Sequence, residues 1–272
     1  MSRLLDRNVA GIELAMSQPD ASGGQGQAPH DWGTLPKPPE RTPAFNLPPS
    51  ILWLAGILIA IEGFRELLLD EGGRDFVLQW FGFIPQRLMH AVNFDGGAWP
   101  LIWTPLTHAF LHADWQHLFF NLAWLAVFGT PVARRYGVGG LILIGAAGAV
   151  CGAIGFALFN LDGRSVMIGA SGAISGLTGA AIRFVFQPIE VRVDPETGER
   201  IPLGRRLAGL ADFGRNRRAL WLAVALIGVN VAVGVFGWLS GAPSPIAWQA
   251  HVAGFLGGFF AVGPMERRLY QP

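Results

Sequence analysis

Apolar residues gather along this chain into six long runs, at about 50–69, 115–133, 138–159, 170–187, 219–240 and 247–264. Crossing a hydrocarbon core of ~30 Å takes about 20 apolar residues in a helix. The pattern therefore predicts an all-α membrane protein with six spans. Glu62, Arg65 and Glu66 interrupt the far end of the first run and are expected at the interface. The long segment between the first two runs carries Phe76, Trp80, Phe81, Phe83, Trp99, Trp103 and Phe110, an aromatic content suited to the headgroup level. It predicts interfacial helices in this first long loop, with a turn at Asp95-Gly96-Gly97.

The remaining segments are polar. Residues 1–49 are rich in Pro, Gly, Ser and Gln and read as a disordered tail, without the basic-then-apolar layout of a cleavable signal peptide. The stretch at about 188–218, with Asp194-Pro195-Glu196-Thr197-Gly198, reads as a solvated hairpin or flexible linker. Residues 50–265 are then one membrane domain, and 266–272 a short tail.

Composition agrees with the pattern: 51% of residues are hydrophobic and 14% charged, with a mean hydropathy of +0.38. A net charge of +1 provides no global basic field, so nucleic acid is not an expected partner, and the bilayer is. Of the 20 basic residues, only Arg65, Arg74, Arg87 and Arg164 fall in segments that are outer if the tail is inner. The positive-inside rule then places both termini in the cytoplasm. Cys151 is the only cysteine and lies in an apolar run, which excludes a disulfide framework and reads as a buried thiol. Richness in Ala, Gly and Arg, with a single Lys, suggests a bacterial source and hence an inner membrane.

Two polar residues stand at the entrances of apolar runs: Ser171 in Gly169-Ala170-Ser171-Gly172, and His251 in Gln249-Ala250-His251-Val252-Ala253-Gly254. In this topology the fourth and sixth spans both enter from the outer side, so the hydroxyl and the imidazole lie at similar depth and can meet. A serine beside a histidine is an activated nucleophile when the two come within about 2.6–3.2 Å. That approach needs small residues. Gly172, Gly176 and Gly179 supply them on one span, and Gly254 and Gly258 lie on the face of His251 on the other. The plainer reading is a packed helix whose serine bonds its own backbone, but an ionisable residue inside a span is functional by default.

A third group lies in 107–121. His117 and Asn121 are four apart and share a helical face, from which both can donate hydrogen bonds to a developing oxyanion together with the Ser171 N–H. His108 and His112 are also four apart, which raises a metal site. No acidic base accompanies them in the His-Glu-x-x-His manner, so no metal and no other cofactor is expected.

Taken together, His112, His117 and Asn121, Gly169-Ala170-Ser171-Gly172, and Ala250-His251-Val252-Ala253-Gly254 with Gly258 resemble the motifs of rhomboid intramembrane serine proteases, in the family's order and spans. The resemblance covers about residues 50–265. It implies a six-span rhomboid-like bundle, Ser171 as nucleophile, His251 as general base, His117 and Asn121 as oxyanion-hole side chains, and His112 with Gly169, Gly172, Gly254 and Gly258 as supports. It also implies that the substrates are transmembrane segments of other proteins, cleaved near the outer face through an acyl-enzyme. Three positions depart from the family pattern: Trp103-Thr104 replaces a tryptophan-arginine pair, Ala133 a glutamate, and Ser175 an aromatic that stacks on the base. No acidic third member is evident, so a Ser-His dyad is expected. Alternatives are a non-catalytic rhomboid-like protein that binds membrane helices, and a transporter, for which no inverted repeat of broken segments is visible.

Overall fold

The computed structural model describes residues 46–162, 165–240 and 247–270. The tail expected at 1–49 lies outside them except for its last four residues. Helix α1 (Pro49–Leu68) begins on a proline, which the first helical turn tolerates because the N–H that proline lacks would have no intrahelical partner there. Two of the three charges read as interfacial from the sequence are packed inside the protein: Arg65 pairs with Glu62 at 2.8 Å, and both are buried, while Glu66 is half-buried.

The first long loop folds into short helices: α2 (Glu71–Phe81), α3 (Arg87–His90), α4 (Thr104–Thr107) and three 3-10 turns. A turn forms at Asp95-Gly96-Gly97, where both glycines have positive φ. Buried Arg87 holds the loop together by donating to the carbonyls of Asp95 (2.8 Å), Gly97 (2.7 Å) and Gln79 (3.0 Å). Trp103 donates from Nε1 to the Trp80 carbonyl (2.7 Å) and stacks on the Trp80 ring. Thr104 is buried in the same loop.

Among the described residues, two helical stretches are long and apolar enough to cross a membrane, Trp115–Ala157 and Arg217–Gly237. The first comprises α5 (Trp115–Trp124), a π-helical turn at Leu125–Gly129, and α6 (Thr130–Ala157). Its 43 residues would extend about 65 Å if straight, but Gly137, at φ 65° and ψ −167°, breaks the run. The chain doubles back there. His108, shortly before α5, lies 3.5 Å from the Ala149 carbonyl in the second half of α6. The two expected runs at 115–133 and 138–159 are thus separate helical stretches on either side of Gly137. Near the turn, Glu266 accepts from the Tyr136 hydroxyl (2.6 Å) and pairs with Arg135, supplying a carboxylate where Ala133 has none.

Helices α7 (Ser171–Val185), α8 (Leu210–Arg215), α9 (Arg217–Ser240) and α10 (Trp248–Tyr270) complete the helical part. Of the two alternatives expected at about 188–218, the structure has the hairpin: the loop after α7 contains antiparallel β1 (Ile189–Val193) and β2 (Arg200–Arg205), with a bulge between Glu190 and Val191, in an otherwise helical fold. Both strands are exposed almost throughout, so backbone pairing and the Asp194–Gly198 turn hold them rather than a core.

The centre is built by α6, α7 and α10. A Cβ on Gly258 would overlap the Gly176 carbonyl, and one on Gly254 the Gly172 carbonyl, so α10 and α7 touch backbone to backbone. Gly148 and Gly152 of α6 lie against Gly172 and Ala250 in the same way. Without aqueous hydrophobic pressure, such close packing is what holds helices together in lipid. Cys151, half-buried, packs against Gly257 on the α6–α10 contact.

Candidate active site

Ser171 is the first residue of α7 and His251 lies in the first turn of α10, so the glycine seam that joins these helices also sets the distance between them. Ser171 Oγ stands 2.8 Å from His251 Nε2. The plainer reading, a serine bonded to its own backbone, describes instead Thr178, whose hydroxyl donates to the Ile174 carbonyl (2.8 Å).

Residues before Ser171 are tied to the first loop. Phe83 and Met167 exchange backbone hydrogen bonds of 3.0 and 2.8 Å, and the Gly169 N–H donates to the His108 carbonyl (2.9 Å). Gly169 has φ 119°, and a Cβ there would lie 2.7 Å from the His117 ring, so glycine is required both by backbone conformation and by the imidazole packed over it. This contact brings His117 to the Ser171 side. In α7 the first intrahelical bond runs from the Ile174 N–H to the Ala170 carbonyl, so the Ser171 N–H has no partner within the helix.

His117 is presented by a capped helix start. The Asp114 carboxylate accepts from the His117 N–H at 2.7 Å and ends α5 cleanly. The Ala113 N–H donates to His117 Nδ1 (3.3 Å), so Nδ1 is the acceptor and a neutral ring carries its proton on Nε2, the edge next to Gly169. Asn121 is buried and gives one amide hydrogen to the His117 carbonyl (2.9 Å), leaving the second for another acceptor. His112 bonds neither its neighbours nor Ser171 with its ring. It packs edge-on against His117, centroids 5.2 Å apart, while its carbonyl accepts from Arg65 (2.5 Å). Among the described residues no three His, Cys, Asp or Glu side chains converge as a metal site would require.

A cavity of about 260 Å³ opens beside the pair, lined by Asn121, Ser171, Ser175, Asn230, His251 and apolar side chains of α5, α7, α9 and α10. Asn230 escaped the sequence reading. Its Oδ1 lies 2.7 Å from His251 Nδ1, and its amide nitrogen donates to the Leu226 carbonyl at 2.8 Å. The available signal was a lone amide in an apolar run, the same argument that singled out His251. The segment at Gly237–Ala247, read from the sequence as a cap over the site, lies outside the described residues from 241 to 246.

Burial pushes the imidazoles of His108 and His112 down to about 4, the latter also because of its neighbours His117 and Arg65. Both are neutral at pH 7. Above about pH 6.5 neither state of the chain is protonated at them, and stability is full; below it the unfolded chain takes up protons that the folded one refuses. Stability is therefore expected to fall as pH drops from about 6.5 towards 4, by a few kcal/mol at most for each histidine. Thermal unfolding in detergent between pH 7.5 and 4.5 measures it, and a flat midpoint would contradict the burial argument.

A hydroxyl hydrogen-bonded to an imidazole, beside donors at a helix start and inside a helical bundle of membrane character, defines a membrane protein with a serine-histidine site. The chain belongs to the rhomboid family: residues 100–267 match the Rhomboid domain. Over 94 residues it is 29% identical to the rhomboid protease GlpG of Serratia proteamaculans (strain 568), a stretch covering 35% of this chain and 31% of that protein. The matched region thus spans about a third of that relative's length.

Proposed function

We propose that this protein is an intramembrane serine endopeptidase that cleaves transmembrane segments of other membrane proteins near the outer face. The observation that carries this reading is the 2.8 Å contact between Ser171 Oγ and His251 Nε2, opening on a mostly apolar cavity that Asn121, Ser175 and Asn230 also line. Ser171 gives its proton to Nε2 as Oγ attacks the substrate carbonyl. The proton passes to the departing amide nitrogen, leaving an acyl-enzyme that water, deprotonated by His251, releases. In this reading His117 Nε2–H, the free Asn121 amide hydrogen and the Ser171 N–H donate to the carbonyl oxygen as it becomes an oxyanion. A peptide bond in a regular helix hides its carbonyl in backbone hydrogen bonds, so the substrate must unwind locally to reach Ser171.

In this reading α1, the two halves of Trp115–Ala157, α7, α9 and α10 are the six spans, and the short helices of the first loop lie in the interface. Both termini face the cytoplasm of a bacterial cell, residues 50–265 form the protease domain, and residues 1–49 are a tail.

The test is a fluorophosphonate probe together with a single-span substrate that carries a helix-breaking segment, both offered to purified protein in detergent. Wild type should react with both, and His251→Ala with neither. Reaction with neither by wild type would support the helix-binding alternative. His117→Ala is expected to lower kcat by about 10²–10³ with KM little changed, as for loss of one oxyanion donor. A steady-state assay checks this, and a change confined to KM would move His117 out of that role.

A further inference from the structure

The proposed base is held by a neighbour from another helix. Asn230 lies on α9, one turn after Leu226, and reaches His251 Nδ1 with Oδ1 at 2.7 Å while its nitrogen donates to the Leu226 carbonyl at 2.8 Å. These two contacts settle which way the amide faces. The Leu226 carbonyl can only accept, so the NH2 group must point to it, and the oxygen is left for the imidazole. An oxygen at Nδ1 requires a proton there. A neutral ring with Nδ1–H has its lone pair on Nε2, the atom 2.8 Å from the Ser171 hydroxyl. The local bond to Leu226, within one helix, thus determines the protonation of a ring on another helix and aims the lone pair at the nucleophile.

We infer that Asn230 is a positioning residue for the proposed reaction, locking His251 in the Nδ1–H tautomer and in the rotamer that faces Ser171; the inference rests on reading Ser171 and His251 as nucleophile and base. It answers the departure at position 175, where a serine offers no ring for His251 to stack on. It also accounts for the missing acid. After proton transfer the ring carries charge, and an amide oxygen accepts from its Nδ1–H without placing a carboxylate in the hydrocarbon region, where an ionised group is costly. Asn230 adds polarity to a helix that otherwise packs little, since 17% of the apolar window of α9 is buried against 56% for Trp115–Ala157. The oxygen of that amide finds its partner where α9 meets α10, and His251 is that partner.

The full chain in detergent, labelled with 15N-histidine, reports the tautomer directly, with the His251 signals assigned by difference from His251→Ala. Wild type should show Nδ1–H at His251. Asn230→Leu, close in volume, should lose that signature and react with the fluorophosphonate about 10–100 times more slowly, the range for loss of a group that orients a functional side chain, while KM for a membrane-embedded substrate changes less than about threefold. Asn230→Asp keeps an oxygen towards Nδ1 and should restore the tautomer and most of the rate lost in the leucine variant. A leucine variant with wild-type tautomer and rate would overturn the inference, as would an aspartate variant no better than leucine. If Asn230→Leu does not fold, the aspartate variant decides: Nδ1–H and rate retained support the positioning role, and their loss defeats it. A wild type inert to the probe would instead defeat the hydrolase reading, and the tautomer measurement would still decide whether Asn230 governs His251.

Discussion

Ser171→Ala is expected to lower cleavage of a membrane-embedded substrate by about 10⁴–10⁶-fold, the loss seen when a hydrolase nucleophile is removed and only binding and oxyanion stabilisation remain. The substitution deletes one oxygen atom. That oxygen bonds His251 Nε2, and nothing else in the packing of α7 depends on it: the helix begins on the Ala170 carbonyl and is held by its glycines. Stability should therefore change by no more than about 1–3 kcal/mol, the cost of leaving one acceptor unpaired. Thermal unfolding beside a cleavage assay separates the two effects. A folded alanine variant that still cleaves within tenfold of wild type would remove Ser171 from the chemistry and with it the proposed function.

The second large effect lies far from any reacting atom. Gly258→Leu is expected to destabilise the bundle by more than ~3 kcal/mol, beyond the ~1–3 kcal/mol usual for overpacking, because the atom a new side chain meets is the Gly176 carbonyl of the facing helix rather than a side chain that can rotate away. Relief requires α10 to move off α7. Those two helices carry His251 and Ser171, so cleavage and probe labelling should fall together with stability. Gly228→Ala, where an added Cβ on α9 meets nothing within 4 Å, is the control. Equal thermal midpoints for the two variants would show that backbone contact along the seam does not hold the helices.

These expectations draw unequally on what can be read along the chain. The helices come from apolar runs, and a run reports burial in lipid or protein without knowledge of its neighbours: α1, α7, α9 and α10 start and stop within a few residues of the expected limits except at the far end of α10. Glycine spacing likewise marks the closely packed faces, because only a missing side chain lets backbones touch. Ser171 and His251 stood out because a hydroxyl next to glycines and an ionisable ring at the mouths of apolar runs are exceptions to local composition.

Other features depend on how helices are turned and staggered against each other. The reversal at Gly137 is a backbone conformation that an apolar profile does not record. Glu62 and Arg65 looked interfacial because hydropathy assigns a cost to each charge separately, whereas the fold pairs them and closes over both. The His117 proton is placed by the Ala113 N–H, and Arg87 organises the first loop by donating to the carbonyls of Gln79, Asp95 and Gly97. Asn230 is the clearest case: an amide in a span announces that it needs a partner, but the partner is 21 residues away on another helix. Spacing along one helix decides which side chains share a face; which of them meet across helices is decided by rotation and depth, and those are set by close packing of the whole bundle.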